Sequence, residues 1–299
     1  MLKIAYHPIY KHPLPEKHRF PMIKYELLPQ QLLYEGTCTE ENFFEPALPE
    51  DRHILSVHDK TYYNDLKGLM LSKSAVRKIG FPLSDELVLR ERIIADGTIK
   101  GCEFALENGI AMNIAGGTHH AYSDRGEAFC MLNDQAIGAR YLLKNDLANK
   151  ILIVDLDVHQ GNGTAEIFRT DHSVFTFSMH GKGNYPFKKE ISDLDIPLPK
   201  GTTDQEYLSL LKKTLPELLQ QVQPDFIFYL CGVDVLDSDK LGTLSMTLEG
   251  CKERDRFVLQ LCSDENIPVQ CSMGGGYSPD IKTIVEAHAN TFRLAQDIL

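Results

Sequence analysis

The chain has 299 residues, 43% of them hydrophobic and 24% charged, enough apolar material for one large buried core and too much for a disordered, collagen-like or small disulfide-scaffold protein. Its 42 Asp+Glu outnumber 31 Lys+Arg, giving a net charge of −11. DNA, RNA and anionic lipid are gripped through Lys/Arg at phosphates, so general affinity for these polyanions and direct nucleic-acid binding are not expected.

Apolar, β-branched runs alternate with long amphipathic stretches, the pattern of parallel strands joined by crossover helices, and the expected fold class is α/β. In chain order the pattern predicts a strand at 3–6 (KIAY), a proline-rich surface loop at 7–21, a helix at 22–35 and a strand at 53–57 (HILSV). Helices at 59–71 and 85–108 follow, then a strand at 111–115 (AMNIA), a helix at 130–145, and strands at 150–156 (KILIVDL) and 173–179 (SVFTFSM). A glycine- and proline-bearing loop is expected over 180–202. After it come a helix at 204–222, a strand at 225–231 (DFIFYLC), a helix at 248–264, a strand at 267–273 (IPVQCSM) and a helix at 280–297. Most strands are apolar on both faces, as a sheet covered by helices on each side requires. Thr203 with Glu206 forms a capping box, and Gly109 ends the helix before it. No linker, repeat or low-complexity tract divides the chain, which reads as one domain.

Seven cysteines, none in a C-x-x-C pair and several inside apolar runs, read as buried free thiols in a reducing compartment. The opening MLKIAYHPIY lacks the apolar core of a signal peptide, and no run approaches the ~18–20 apolar residues of a membrane span. A cytoplasmic location is expected, with a nucleus open if the host has one.

In an open α/β sheet, ligands bind beyond the carboxyl ends of the strands, and the unusual residues collect there. AMNIA is followed by GGTHHA, with His119 and His120; ILIV by DLDVHQGNG, with Asp155, Asp157 and His159; FIFYLC by GVD, with Asp234; and VQCSM by GGGY, with Tyr277. On a strand of period two, Asp155, Asp157 and His159 would project to one side. Two carboxylates directly after a buried apolar run are costly unless paired or metal-bound. Asp157, His159 and Asp234 offer oxygen, nitrogen and oxygen to a divalent ion, zinc first and Fe(II) as the alternative, leaving a position open. Asp155 then orients a neighbouring histidine. Beside a metal, one imidazole of the His119–His120 pair can deprotonate water while the other stabilises charge or protonates a leaving amine. A tight glycine turn can aim the Tyr277 phenol at an oxyanion.

With these residues in order, the chain resembles the zinc-dependent histone deacetylase superfamily, which includes acetylpolyamine amidohydrolases and acetoin-utilisation proteins. The motifs are VHDKTYYNDL (57–66), GGTHHAYSDRGEAFCMLND (116–134), ILIVDLDVHQGNGT (151–164), CGVDVLDSDKLG (231–242) and MGGGY (273–277), spread over almost the whole length. The GGTHHAYSDRG…FC and HQGNG forms look most like class IV histone deacetylases and their bacterial relatives. The resemblance implies an arginase/deacetylase fold with a central parallel sheet and zinc on Asp157, His159 and Asp234. It also implies His120 as general base and then acid, His119 as its electrostatic partner buttressed by Asp155, and Tyr277 polarising the scissile carbonyl. Phe129 and Tyr185 are implied as tunnel walls, Leu241 at the mouth, and Arg19 near an inner cavity that receives the released acid. A structural K⁺ is implied at the Asp155 carboxylate and the backbone around Asp157, His159, Ser178 and Met179. Three departures stand out: Asn162 where many relatives have a second buttressing Asp, Ala128 in place of a tunnel glycine, and no rim Asp around Gly80-Phe81-Pro82.

The implied activity is hydrolysis of acyl-lysine, with acetyl or longer acyl groups, in proteins or peptides by metal-activated water. An acylated small amine such as an acetylpolyamine is the alternative substrate, although Leu241 at the gate, rather than an acid, favours acyl-lysine. A binuclear manganese ureohydrolase of the arginase type lacks ligands here, since Gly161 follows His159 by two and Leu236 follows Asp234 by two. A catalytically silent acyl-lysine reader is disfavoured because every metal ligand, both histidines and the tyrosine are retained.

Overall fold

A computed structural model describes all of residues 1–299. In chain order its elements are β1 (Lys3–Ala5), α1 (Lys24–Tyr34), β2 (Phe43–Phe44), α2 (Asp51–Ile54), α3 (Lys60–Lys67), α4 (Lys73–Ile79), α5 (Asp85–Asn108), β3 (Ile110–Asn113) and α6 (Asp134–Lys144). There follow β4 (Ile151–Asp155), α7 (Asn162–Phe168), β5 (Val174–Gly181), β6 (Leu194–Leu198), α8 (Asp204–Val222), β7 (Phe226–Leu230), α9 (Leu248–Asp264), β8 (Val269–Ser272) and α10 (Ile281–Ile298). Short 3₁₀ turns at Pro8–Tyr10 and Glu40–Asn42 complete the set.

The eight strands form one sheet in the order β2-β1-β3-β8-β7-β4-β5-β6, and every adjacent pair is parallel. The expected α/β class holds in a single domain. Every residue of β3, β4, β7 and β8 is buried, which is why their sequences carry no polar alternation. These four strands are also the consecutive centre of the sheet. All their carboxyl ends face the same way, so the four polar loops read from the sequence open onto one crevice.

The long helices fall where the apolar periodicity places them. Ser84 caps α5 by accepting from the Leu87 N–H at 3.1 Å, and Gly109 stops it with φ +90°. The capping box of α8 is formed, with the Thr203 N–H donating to Glu206 Oε2 at 2.9 Å. All seven cysteines are buried and unpaired. No helix is long and apolar enough to cross a membrane.

Several expectations are overturned. Residues 53–57 are not a strand: α2 ends at Ile54, and the buried positions Ile54, Val57 and His58 have helical i, i+3, i+4 spacing, which a five-residue run is too short to separate from alternation. The 7–21 segment is more than a surface loop, because it holds a 3₁₀ turn and buries Tyr10, His12 and Phe20. The stretch 180–202 contains the edge strand β6, whose Pro197 is tolerated only at an edge. The short elements α4, α7 and β2 lay below the length at which a pattern can be read. β4 stops at Asp155, so Asp157 and His159 do not alternate from a strand but sit in the loop beyond it.

Replacing Thr203 with Ala removes one half of the α8 capping box and is expected to cost about 1 kcal/mol in urea denaturation.

Candidate functional site

The β4 loop and the β7 loop come from adjacent strands, and this adjacency brings Asp157 and His159 against Asp234. One ligand atom from each of the three lies within 4.8 Å of the others, and all three residues are buried. His159 Nδ1 stands 3.0 Å from Asp157 Oδ1 and 3.2 Å from Asp234 Oδ2. Backbone donors hold the outward oxygens: the Gly275 N–H donates to Asp157 Oδ2 at 2.9 Å, and the Val158 N–H to Asp234 Oδ1 at 3.0 Å. Asp234 Oδ2 is buried without a hydrogen bond. A desolvated carboxylate oxygen left free toward a second carboxylate and an imidazole fits a cation at that point. The donor set of oxygen, nitrogen and oxygen fits zinc or Fe(II).

The electrostatics agree with that fit. Burial raises the Asp234 pKa, and the neighbouring Asp157 raises it further. Burial by itself would lower His159, but the two carboxylates overcome it and hold the imidazole at about 10. Two carboxylates in a dry crevice need a positive charge between them, and a protonated His159 supplies one where a metal ion would. Glycine is required beside them: a Cβ at Gly275 would run into the Asp234 carboxylate and stand 2.8 Å from Asp157 Oδ2. This accounts for the middle glycine of GGGY more specifically than a flexible turn does.

The two histidine rings pack against each other, tilted by 47° with centroids 4.1 Å apart, yet their supports differ. His119 Nδ1 meets Asp155 Oδ2 at 2.7 Å; burial opposes its protonation, and the Asp155 carboxylate overrides that and raises the pKa. His120 Nδ1 meets Asn162 Oδ1 at 2.6 Å. The Asn162 amide nitrogen donates to the Tyr122 hydroxyl at 2.9 Å, which fixes the amide orientation and makes His120 Nδ1 the protonated nitrogen. Burial, reinforced by His119 and His159, holds the His120 pKa well below that of a free imidazole. His120 is therefore neutral with Nε2 as its lone pair, beside a histidine buttressed to carry charge.

A cavity of about 420 Å³ reaches this floor from the surface, lined among others by His120, His159, Tyr277, Phe129, Tyr185 and Leu241. The Tyr185 ring stands perpendicular to His120 at 4.9 Å between centroids. Ala128 and Phe129 form the tip of a tight turn, with φ of +45° and +69°, and their N–H groups donate to the Lys78 and Ile79 carbonyls at 2.9 and 2.6 Å. Two successive left-handed residues mark Ala128 as a position where glycine would be less strained. Behind the floor, an inner cavity of about 40 Å³ is bounded by Phe20, Phe81, Arg90, His120 and Tyr277, among others.

The structure corrects one residue. Arg19 does not lie near the inner cavity: it is exposed at the outer mouth, its guanidinium carbon 5.0 Å from the Phe129 ring centroid. The arginine of the inner cavity is Arg90, buried in α5, ion-paired with Glu91 and donating from Nε to the Tyr10 carbonyl at 2.7 Å. The DELVLRER run around it reads as a solvated charged face, so nothing in the sequence distinguishes it. The remaining expected site residues are gathered in or against the crevice.

Three more residues escaped the sequence. Lys24 of α1 is fully buried and donates to the Gly274 carbonyl at 3.1 Å, its pKa lowered by burial to about 8 against the pull of Asp234 and Asp157. Asp239 accepts from the N–H groups of Tyr277 (2.6 Å), Leu241 (2.8 Å) and Gly242 (2.9 Å), joining the tyrosine turn to the mouth. Arg254 of α9 is completely buried and donates to the Leu156 carbonyl at 3.1 Å and the Gly232 carbonyl at 2.7 Å, so one guanidinium ties together the two loops that carry the metal ligands. Asp255, which also accepts from Tyr229 and Thr291, balances its charge.

This parallel sheet and crevice define an α/β fold of the arginase/deacetylase type. The histone deacetylase domain family matches residues 16–292, and the chain belongs to that family. It is 46% identical over 295 residues to an uncharacterised protein of Picosynechococcus sp., covering 99% of this chain and 98% of that one. It is 30% identical over 273 residues to histone deacetylase 2 of Arabidopsis thaliana, covering 87% of this chain and 70% of that protein. An acetoin utilization protein AcuC of Staphylococcus aureus is 28% identical over 88% of this chain and 73% of its own length. Among solved structures, an HDAC homologue from Aquifex aeolicus superposes with a TM-score of 0.84 at 24% identity, over 98% of this chain and 84% of the other. Membership supports a hydrolase of the deacetylase kind.

Replacing Arg254 with Met leaves Asp255 buried and unpaired and is expected to cost about 3–5 kcal/mol in thermal denaturation, whereas the double replacement Arg254→Met with Asp255→Leu should cost less. Replacing Ala128 with Gly relieves roughly 1–2 kcal/mol of left-handed strain against about 0.4–1 kcal/mol of added unfolded-chain entropy, so urea denaturation should show a small net stabilisation.

Proposed function

We propose that this chain is a zinc-dependent deacetylase of acyl-lysine side chains in proteins or peptides, with Fe(II) as the alternative ion. The observation that carries this reading is the convergence of Asp157, His159 and Asp234 around an unpartnered Asp234 Oδ2, directly beside two histidines of opposite protonation preference. When bound, the ion supplies Lewis acidity to the acyl carbonyl and acidifies a water. His120, neutral and with Nε2 free, accepts the proton of that water. The Tyr277 hydroxyl donates to the oxyanion as the carbonyl becomes tetrahedral. His119, held by Asp155, stabilises the charge that develops, and the proton on His120 passes to the departing lysine amine as the C–N bond breaks. Phe129 and Tyr185 wall the aliphatic stem of the substrate, and Ala128 and Leu241 border the approach.

The amide at Asn162 suits this division of labour, because a neutral acceptor fixes the tautomer of His120 without raising its basicity as a carboxylate would. Asp155 faces Ser178 in register across β4 and β5, which favours a structural K⁺ at the family's inner position. Among the residues lining the outer cavity there is no carboxylate to meet the distal ammonium of a polyamine, which favours acyl-lysine. The inner cavity of about 40 Å³ takes a methyl group more readily than a decanoyl chain, so acetyl is the expected acyl group.

The test is hydrolysis of acetyl-, decanoyl- and myristoyl-lysine peptides and N-acetylputrescine, on protein stripped with chelator and reloaded with zinc or Fe(II). Acetyl-lysine turnover that disappears on stripping and returns on reloading is expected. Replacing Tyr277 with Phe should lose roughly 2–4 kcal/mol of transition-state stabilisation. Preference for acetylputrescine, or undiminished turnover in that variant, would contradict the assignment.

A further inference from the structure

On a protein of net charge −11, the mouth of the cavity is cationic. Of the residues that line the 420 Å³ cavity, the ones that carry full charge at the surface are Arg19 and Lys78, both exposed. They sit on the same side, against the Ala128-Phe129 tip. Arg19 lies over the Phe129 ring at 5.0 Å, and the Lys78 carbonyl accepts the Ala128 N–H. Gly183, Asn184, Tyr185 and Phe187 also line the mouth; Lys182 and Lys188, both exposed, flank that segment, and Phe187 is 91% exposed.

Two acids bonded to residues of this mouth are engaged there and pair with neither cation. Glu127 accepts from the Tyr185 hydroxyl at 2.5 Å and from Arg125 at 3.1 Å. Asp239 is consumed by three backbone N–H groups beneath the mouth. Arg19 and Lys78 are left with no acidic partner from the chain. Holding unpaired cations around the entrance of an otherwise acidic molecule focuses an attractive potential at that entrance and repels a cationic ligand.

We propose that Arg19 and Lys78 form a cationic collar that selects acyl-lysine flanked by acidic residues, so that the partner is a protein segment rich in Asp and Glu around the acylated position. This rests on the acyl-lysine reading above and adds to it the chemistry of the flanks. The absent rim carboxylate fits the same picture, because a substrate recognised through its acidic side chains at two cations has less need of a carboxylate holding its main chain. From their shared side of the mouth, the long Arg19 and Lys78 side chains can reach residues that flank an inserted lysine, and Phe187 offers an exposed apolar side chain at the same entrance.

The test uses the full chain and three acetyl-lysine peptides of equal length, with Glu, Gln or Lys at the two positions on each side. Both kcat/KM and binding by fluorescence anisotropy are measured, in wild type, Lys78→Glu and the double variant Arg19→Glu with Lys78→Glu. Exposed ion pairs are individually weak, so the expected preference for the Glu peptide over the Lys peptide is about threefold to tenfold at low salt. It should shrink as salt rises from about 20 mM to about 500 mM, where screening shortens to a few ångströms. It should fall in Lys78→Glu and invert in the double variant. The ratio between peptides is read within each variant, so a change in overall turnover does not disturb it. Equal use of the three peptides, a preference for Lys flanks, or a preference that survives charge reversal would overturn the collar. Failure to hydrolyse even the Gln peptide would instead count against the acyl-lysine reading, and the anisotropy ratio would still decide whether the mouth selects acidic segments.

Discussion

Two carboxylates, Asp157 and Asp234, are confined in one dry crevice, and much of the surrounding architecture exists to make that confinement tolerable. Isolated buried charges of like sign cost several kcal/mol each unless something positive and well directed faces them. The pairing of β4 with β7 brings the two loops together. Backbone N–H groups from Val158 and Gly275 take the outward oxygens, the His159 N–H donates to Asp157 Oδ1, and glycine at 275 leaves the room that a Cβ would fill. Arg254 then pins the carbonyls on either side of the crevice from beneath. What remains without a hydrogen bond is one oxygen, Asp234 Oδ2, and a cation, whether a protonated His159 or a bound metal ion, is the simplest species that compensates it.

The same logic explains the unequal histidines. Placed 4.1 Å apart, two imidazoles cannot both be protonated at low cost, so one must be favoured. The chain settles the matter with second partners: a carboxylate behind His119 and a tyrosine-anchored amide behind His120. The division between a charged partner and a neutral base therefore depends on residues 155, 162 and 122, none of which touches the space where a substrate would sit.

Much of this was legible in the sequence because it rests on local order. The central strands are short apolar runs, each ending in an abrupt polar loop, and a ligand-bearing crevice at the carboxyl ends follows from the parallel class alone. The illegible parts depend on tertiary neighbours. HILSV at 53–57 is apolar enough for a strand, and its helical spacing shows only once Ile54, Val57 and His58 are known to be the buried set. LDIPL in β6 carries an Asp and a Pro because one edge of it faces no strand. Arg90 and Arg254 each lie in helical stretches crowded with charge, where most side chains face water, and no spacing marks the one that turns inward. Arg19 was misplaced for the converse reason, since a loop position fixes neither depth nor direction.

The strand order carries a consequence for how the molecule comes to exist. β8, built from residues near the end of the chain, is inserted between β3 and β7, so that Ile110 and Ile227 both register with Val269. A nascent chain leaving the ribosome cannot close its sheet until that late segment arrives, and until then two central strand edges stand open to non-native partners. Completion of the sheet therefore waits on a segment near the end of the chain, and open strand edges are the hazard of that wait.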